Sequence, residues 1–188
     1  MPIVVLSIAY CLLPLAKSFK MTQPSIETAF LQSAIKRFKS YKELADKTFE
    51  QLEEKDFFYQ PNKESNSIAI IIQHMTGNML SRWTNFLTED GEKEWRQRDA
   101  EFETGSSSKP DLINTWQKGW ECLFDTLNAL KNEDLLKTVT IRSESLTVVD
   151  AINRQLAHYP YHVGQIIYIG KIIKNESWKN LSIPRRKV

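Results

Sequence analysis

The sequence predicts an all-α fold, a four-helix bundle with one long irregular connection between its second and third helices. Three observations support this prediction. Apolar residues recur at intervals of three and four in four separate segments, the spacing that places them on one face of an α-helix. A serine or threonine stands before each segment where it can cap the helix. The chain has no internal repeat and no glycine-rich phosphate loop, and four amphipathic helices of this kind pack as a bundle.

The first two helices are expected in the N-terminal half of the domain. The first begins at Ser25, after Pro24, and extends to about Leu52. A connection over residues 53–66 separates it from the second helix, which is expected from about Ser67 to Leu87 with Ser65 or Ser67 as its cap. The apolar stripe of the second helix consists of Ile68, Ile71, Ile72, Met75, Met79, Trp83 and Phe86.

The third and fourth helices follow a long polar connection. The third is expected to start near Pro110, with Ser108 before it and Asp111 in its first turn. Residues 137–146 alternate between polar and apolar side chains, which predicts a short extended excursion or hairpin. The fourth helix is then expected from Val148 to about Ile173, with Thr147 as its cap. Pro160 lies inside that helix and is expected to bend it, because proline removes one backbone hydrogen bond.

Composition limits the classes of function. A chain of 188 residues with 41% hydrophobic content is one domain's worth. Its net charge of +2 argues against a strongly electrostatic partner such as duplex DNA. The basic tail Pro184–Lys187 is interpreted as a solvated end. Cys11 and Cys122 are the only cysteines and form no C-x-x-C pair, so a reducing, cytoplasmic setting is expected.

The first twenty residues are interpreted separately from a single domain over residues 21–188. Ile3 to Ala16 is an apolar run that is too short for a comfortable transmembrane span, so no stable membrane insertion is expected. Lys17 and Lys20 follow this run, whereas a signal peptide carries its basic residues before it. We therefore interpret residues 1–20 as an upstream start-codon extension outside the fold. A weak export signal is the alternative.

The three histidines are the candidate functional residues. His158 and His162 are four residues apart on the fourth helix and thus share one face. A helical wheel places both on one flank of the apolar stripe, and His74 lies on the corresponding flank of the second helix. Two helices can therefore present all three rings to one metal ion, and such a set without thiolate suits zinc, nickel or iron(II). On spacing alone, three unrelated histidines bonded to carbonyls or water remain an equal alternative.

The sequence also resembles a known family. The helix that carries His74, the segment Thr147–Ala151, and the run His158–Ile166 resemble the DinB/YfiT-like superfamily over about Thr22 to Lys174. The resemblance implies a DinB-like four-helix bundle, often dimeric, in which one histidine of the second helix and two of the fourth hold a metal. His74, His158 and His162 match those three positions. Several members use low-molecular-weight thiols, among them bacillithiol S-transferases and mycothiol-dependent isomerases.

The resemblance implies two alternative functions for a divalent metal ion at this site. One is a metal-dependent thiol S-transferase or related hydrolase that takes a small thiol and an electrophilic substrate and acts as a homodimer. The other is a non-catalytic metal-binding or stress-related interaction module. A bundle that no longer binds metal is a third and weaker alternative, and no catalytic residue is assigned.

Polar residues around the histidines carry two further expectations. Asn78 and Gln155 are candidates to orient the ligands, with plain polar positions as the alternative for each. The charged residues of the long connection are expected to form an ion-pair network that pins the connection on the bundle, or to offer an arginine to the carboxylate of an anionic thiol or substrate. This set consists of Arg82, Arg96, Arg98, Asp99 and Glu101.

Overall fold

The computed structural model describes residues 23–183 except 104 and 106. The described part is an all-α four-helix bundle with a small two-stranded antiparallel sheet before the last helix, as predicted. Its elements are α1 (Ile26–Phe49), α2 (Ile68–Trp83), α3 (Lys109–Ala129), β1 (Thr138–Ile141), β2 (Glu144–Thr147) and α4 (Val148–Lys174). The interpretations of the leader 1–20, of Cys11 and of the basic tail 184–187 concern residues outside the described ones.

All four helices begin at the predicted caps. The side-chain oxygen of each cap residue accepts a hydrogen bond from the backbone N–H three residues later, which satisfies a donor that the helix itself leaves unpaired. Ser67, and not Ser65, caps α2. The caps are Ser25, Ser67, Ser108 and Thr147.

The predicted end of α2 at Leu87 is wrong, because the helix ends at Trp83. Thr84 is extended and Asn85 adopts a left-handed conformation with φ of 50°, which asparagine tolerates better than most residues. The Asn85 carbonyl then accepts the N–H groups of Thr88 and Glu89 at 3.0 Å each, which closes a turn. By contrast, α4 continues through Pro160 to Lys174.

The core lies between the helices and is rich in aromatic side chains. α2 packs against α3, and α1 packs against α4. The tryptophans of the apolar stripes are fully buried here and belong to the core. The largest fully buried side chains are Trp83, Trp116, Trp120, Tyr159 and Phe38.

The connection between α2 and α3 is fastened to the β1–β2 hairpin. The Asp90 carboxylate accepts the backbone N–H groups of Arg142 at 2.9 Å and Ser143 at 2.8 Å. The Gly91 N–H donates to the Thr140 carbonyl at 2.8 Å. Burial opposes ionisation of Asp90, but hydrogen bonds from the backbone N–H groups of Glu92, Ser143 and Arg142 outweigh it and lower its pKa to about 2. Connection and hairpin therefore form one unit.

Among the described helices, none combines the length and the apolar character that a bilayer span requires.

Candidate metal centre

The structure brings the three histidines together. His74 comes from α2, and His158 and His162 come from consecutive turns of α4. One ligand nitrogen from each ring lies within 4.8 Å of the others. The Nε2 atoms of His158 and His162 are 3.0 Å apart. The rings of His74 and His162 are 5.0 Å apart between centroids.

The orientation of His74 is fixed by a carboxylate. Its Nδ1 lies 3.0 Å from Oε2 of Glu101, and an ionised carboxylate can only accept. Nδ1 therefore carries the proton, and Nε2 keeps its lone pair for a ligand. Arg96 holds the same carboxylate through Nε at 2.7 Å and Nη2 at 2.9 Å. Burial raises the pKa of Glu101, but the hydrogen bonds from His74 and Arg96 outweigh it, so the net pKa is lowered and Glu101 stays ionised.

Two glutamines orient the other rings. Nδ1 of His158 lies 3.2 Å from Oε1 of Gln155, and Nδ1 of His162 lies 2.8 Å from Oε1 of Gln165. With these amide oxygens as acceptors, both Nδ1 atoms are donors and both Nε2 atoms keep a lone pair. The two rings of α4 then direct bare nitrogens at each other, and the ring of His74 lies beside both. Partners of this kind on the outer nitrogen accompany nearly all metal-ligating histidines.

The electrostatic environment keeps the rings of α4 neutral. Burial, together with the neighbouring His162 and His74, lowers the pKa of His158 to about 3. Burial also lowers the pKa of His162, although the hydrogen bond with Gln165 opposes it. Neutral imidazole is the form that binds metals, so both rings are in the ligating form at neutral pH.

The donor set fits a transition-metal ion. A tetrahedral zinc with nitrogen ligands at about 2.05 Å places those nitrogens roughly 3.3 Å apart. The His158–His162 separation of 3.0 Å is close to that value. Three imidazoles without a thiolate suit zinc, nickel or iron(II) and leave one or more coordination positions open. The three histidines can therefore bind one metal ion.

The residues around the ligands were predicted only in part. Gln155 contacts His158 as expected, whereas Asn78, among the described residues, has no hydrogen bond to a histidine and instead accepts one from Tyr159 Oη at 3.0 Å. Gln165 was missed, although it lies three residues after His162 and so shares its helix face. The bond from Glu101 to His74 had no local signal, because it joins residues 27 apart through an irregular connection.

The ion-pair network of the connection exists, but its centre differs from the prediction. Glu92, which was not predicted, pairs with Arg82 at 3.1 Å and with Arg142 at 2.9 Å. Arg96 lies 3.5 Å from the same carboxylate. Asp99 is fully exposed and lies 3.7 Å from Arg98, which is too long for a hydrogen bond. It therefore does not hold the network together.

A pocket opens next to the histidines. Its volume is about 300 Å³, and His74 and His158 form part of its wall. Arginines supply most of the rest of the wall, and we refer to it below as the arginine-lined pocket. The histidine cluster is therefore accessible from one side through a charged cavity.

Comparisons with known proteins place the chain in a family. No curated protein matches it. A family model described as "Protein of unknown function (DUF1572)" matches residues 25–187, a range that contains all four helices and all three histidines. The chain therefore belongs to the DUF1572 family.

Proposed function

We propose that this chain binds a divalent metal ion, zinc, nickel or iron(II), through His74, His158 and His162. The observation that carries the proposal is the convergence of the three rings, each with its Nδ1 held by an acceptor. A histidine that serves only packing needs one satisfied nitrogen and no particular neighbours. Two Nε2 atoms 3.0 Å apart need either a proton or a cation between them, and the acceptors Gln155 and Gln165 on the Nδ1 atoms favour the cation.

We further propose that the family belongs to the DinB/YfiT-like superfamily and that the protein is a metal-dependent thiol S-transferase or a related enzyme. The positions of the histidines on α2 and α4 support this. When bound, the ion would supply the Lewis acidity that favours the thiolate form of a small thiol. The pocket beside His74 and His158 supports a site that admits a thiol and an electrophilic substrate, since a purely structural metal site is closed.

The residues of the chain have separable tasks in this proposal. The three imidazoles hold the ion, while Glu101, Gln155 and Gln165 keep Nε2 of each ring free of a proton. Arg96 holds Glu101 in place. The homodimer that the resemblance implies remains a prediction.

A non-catalytic metal-binding module is the second candidate. One observation favours it: among the described residues that line the pocket, none is an aspartate or glutamate. In the described pocket wall, the histidines are therefore the side chains that could act as a general base, and no carboxylate is available for that role. The two candidates share the metal site and differ only in whether chemistry takes place there.

Metal content tests the shared part. The protein is purified without a histidine tag, and bound metals are measured by mass spectrometry before and after reloading. We expect close to one ion per chain in the wild type and none in His162→Ala. Glu101→Gln is expected to weaken metal binding about 10–100-fold, whereas Glu103→Gln, an exposed neighbour, leaves it unchanged. A metal-free wild type that resists reloading would contradict the proposal.

Thiol conjugation separates the two candidates. The metal-loaded protein is incubated with a panel of cellular thiols and monochlorobimane, with metal-free protein as the control. Conjugation above that control supports the transferase. No conjugation with any thiol, in a protein that does bind metal, supports the binding module.

A further inference from the structure

The arginine-lined pocket gathers arginine side chains in a chain that is nearly neutral as a whole. The chain carries a net charge of only +2, yet among the described residues none that lines the wall is acidic. Its other residues are histidines and amides, among them His74 and His158 of the metal centre. Five of the nine lining residues are arginines, namely Arg82, Arg96, Arg98, Arg142 and Arg154.

Two of these arginines lie deep in the wall and are already paired. Arg82 and Arg96 are buried, and their guanidinium groups bind Glu92 and Glu101. Buried guanidinium groups need such partners to offset the loss of hydration. They therefore hold the wall together, their charges are balanced by these two carboxylates, and few donors are left for a ligand.

The other three arginines form the rim and keep most of their donors. The side chains of Arg98, Arg142 and Arg154 are 52%, 55% and 45% exposed. Arg142 uses only Nε, on Glu92. Arg98 lies 3.7 Å from Asp99, and Arg154 lies 3.8 Å from Glu144. Both distances are too long for hydrogen bonds. A guanidinium has five N–H donors in a planar fork that matches the two oxygens of an oxyanion.

The position of Arg142 is built into the backbone. Arg142 and Ser143 are the two central residues of the hairpin turn, with φ of 56° and 63°. Residues with a Cβ adopt this left-handed conformation at a cost, and glycine or asparagine is usual in such a turn. The Asp90 carboxylate offsets the cost by accepting both N–H groups of the turn. Asp90 thereby fixes the backbone from which the Arg142 side chain extends to the pocket rim.

We propose that the arginine-lined pocket binds an oxyanion, a carboxylate or phosphate group of the substrate, on the rim arginines Arg142 and Arg154. The other end of that substrate then lies next to His74 and His158. The inference deepens the proposed function by naming the substrate class, and it rests on the proposed function only for that second contact. Anion binding itself needs the arginines alone.

Titration calorimetry with two simple anions at low ionic strength tests the proposal. Inorganic phosphate and succinate are titrated into the full chain, first as metal-free and then as zinc-loaded protein. We expect saturable binding of at least one anion, and the preferred one identifies the group as phosphate or carboxylate. Arg142→Gln and Arg154→Gln should each weaken binding about tenfold or more, since each removes a charge-assisted contact. Both side chains are half exposed, so the variants are expected to fold, which circular dichroism checks.

Arg37→Gln is the matched control. Arg37 is exposed on α1 and is not part of the pocket wall, but its loss changes the net charge equally. If Arg37→Gln weakens binding as much as the rim variants do, the anion binds the general positive potential and the proposal is overturned. It is also overturned if neither anion binds saturably to the wild type.

The metal-free and zinc-loaded arms keep this test separate from that of the metal site. Arginine-dependent anion binding to a protein that never takes up metal supports the pocket and contradicts only the metal proposal. Metal uptake without anion binding overturns the pocket and leaves the metal proposal intact. If anion binding requires zinc and is unchanged in Arg142→Gln and Arg154→Gln, the anion binds the zinc ion rather than the arginines. That result also overturns the proposal.

Discussion

Tyr159 stands between two buried regions that are held together in different ways. On one side its ring packs against Trp120 at 5.9 Å between centroids, within the aromatic core. On the other side it meets the ring of His158 at 5.5 Å, at the edge of the metal centre. Its hydroxyl accepts from Trp83 Nε1 and donates to Asn78 Oδ1, both at 3.0 Å.

The core and the metal centre differ in what each contact contributes. In the core, large apolar surfaces are removed from water, and stability depends on packing volume rather than on any one direction. At the metal centre the contacts are hydrogen bonds, each of which decides where a proton or a lone pair lies. Net stabilisation by such bonds is small. We therefore expect the core to set the free energy of unfolding and the polar region to set metal affinity.

The largest expected effect is on stability, and it falls in the core. Trp120 is fully buried, and its Nε1 has no hydrogen-bond partner within the described residues, so its contribution is packing. Trp120→Ala should lower the free energy of unfolding by about 3–5 kcal/mol. His162→Ala should lower it by only about 1–2 kcal/mol in the metal-free protein while abolishing metal binding. Urea unfolding of both metal-free variants measures the contrast, and equal losses would contradict it.

The same difference decides how far each region could be predicted from the sequence. The helices were predictable because burial follows the 3.6-residue period and because Ser25, Ser108 and Thr147 cap locally. The pairing of His158 and His162 was predictable for the same reason, as a four-residue spacing on one helix.

What could not be predicted depends on backbone outside the helices. Glu101 reaches His74 from a 3-10 turn at Asp99–Phe102, in a connection without periodicity. Glu92 gains Arg142 as a third arginine neighbour because Asp90 binds the distant hairpin turn. The left-handed Asn85, which ends α2 early, follows from turn geometry that an apolar stripe does not encode.

An effect of intermediate size on the free energy of unfolding is expected when the pH is lowered, and it arises at the histidine cluster. In the folded protein, burial and the neighbouring histidines hold the pKa of His158 at about 3, against an ordinary value of 6.5. Between these values the unfolded chain binds more protons than the folded one, so stability is full above pH 6.5 and is lost as the pH falls. From pH 6.5 to 5, before carboxylates titrate, the metal-free protein should lose about 1–2 kcal/mol.

Two variants locate this pH dependence. His158→Gln removes the group with the larger shift and should reduce the slope between pH 6.5 and 5, leaving the part due to the lowered pKa of His162. Trp120→Phe alters the core and should shift the whole profile without changing its slope. A wild-type profile that is flat in this range, or a slope that is undiminished in His158→Gln, would show that His158 does not carry the effect. Urea unfolding at intervals of pH provides the measurement.

The smallest expected effect compares two helical glycines. Gly164 is exposed on α4, and a Cβ there would meet nothing within 4 Å. Gly164→Ala should therefore raise the free energy of unfolding by about 0.5–1 kcal/mol, the usual gain in helix propensity. Gly77 lies on α2, where a Cβ would come within 2.7 Å of Cδ of Glu101. The absence of a side chain at Gly77 is what lets Glu101 approach His74.

Gly77→Ala should thus forfeit the propensity gain and displace Glu101 from His74 without altering any polar group. We expect stability at or below that of the wild type and metal affinity about tenfold weaker, whereas Gly164→Ala keeps wild-type affinity. Competition with a chelator measures the affinity, and urea unfolding of the metal-free protein measures the stability. If Gly77→Ala is stabilised as much as Gly164→Ala and binds metal equally well, then Glu101 does not orient His74. In that case the orientation of the His74 ring is set by packing, as in the core, and not by its hydrogen bond to Glu101.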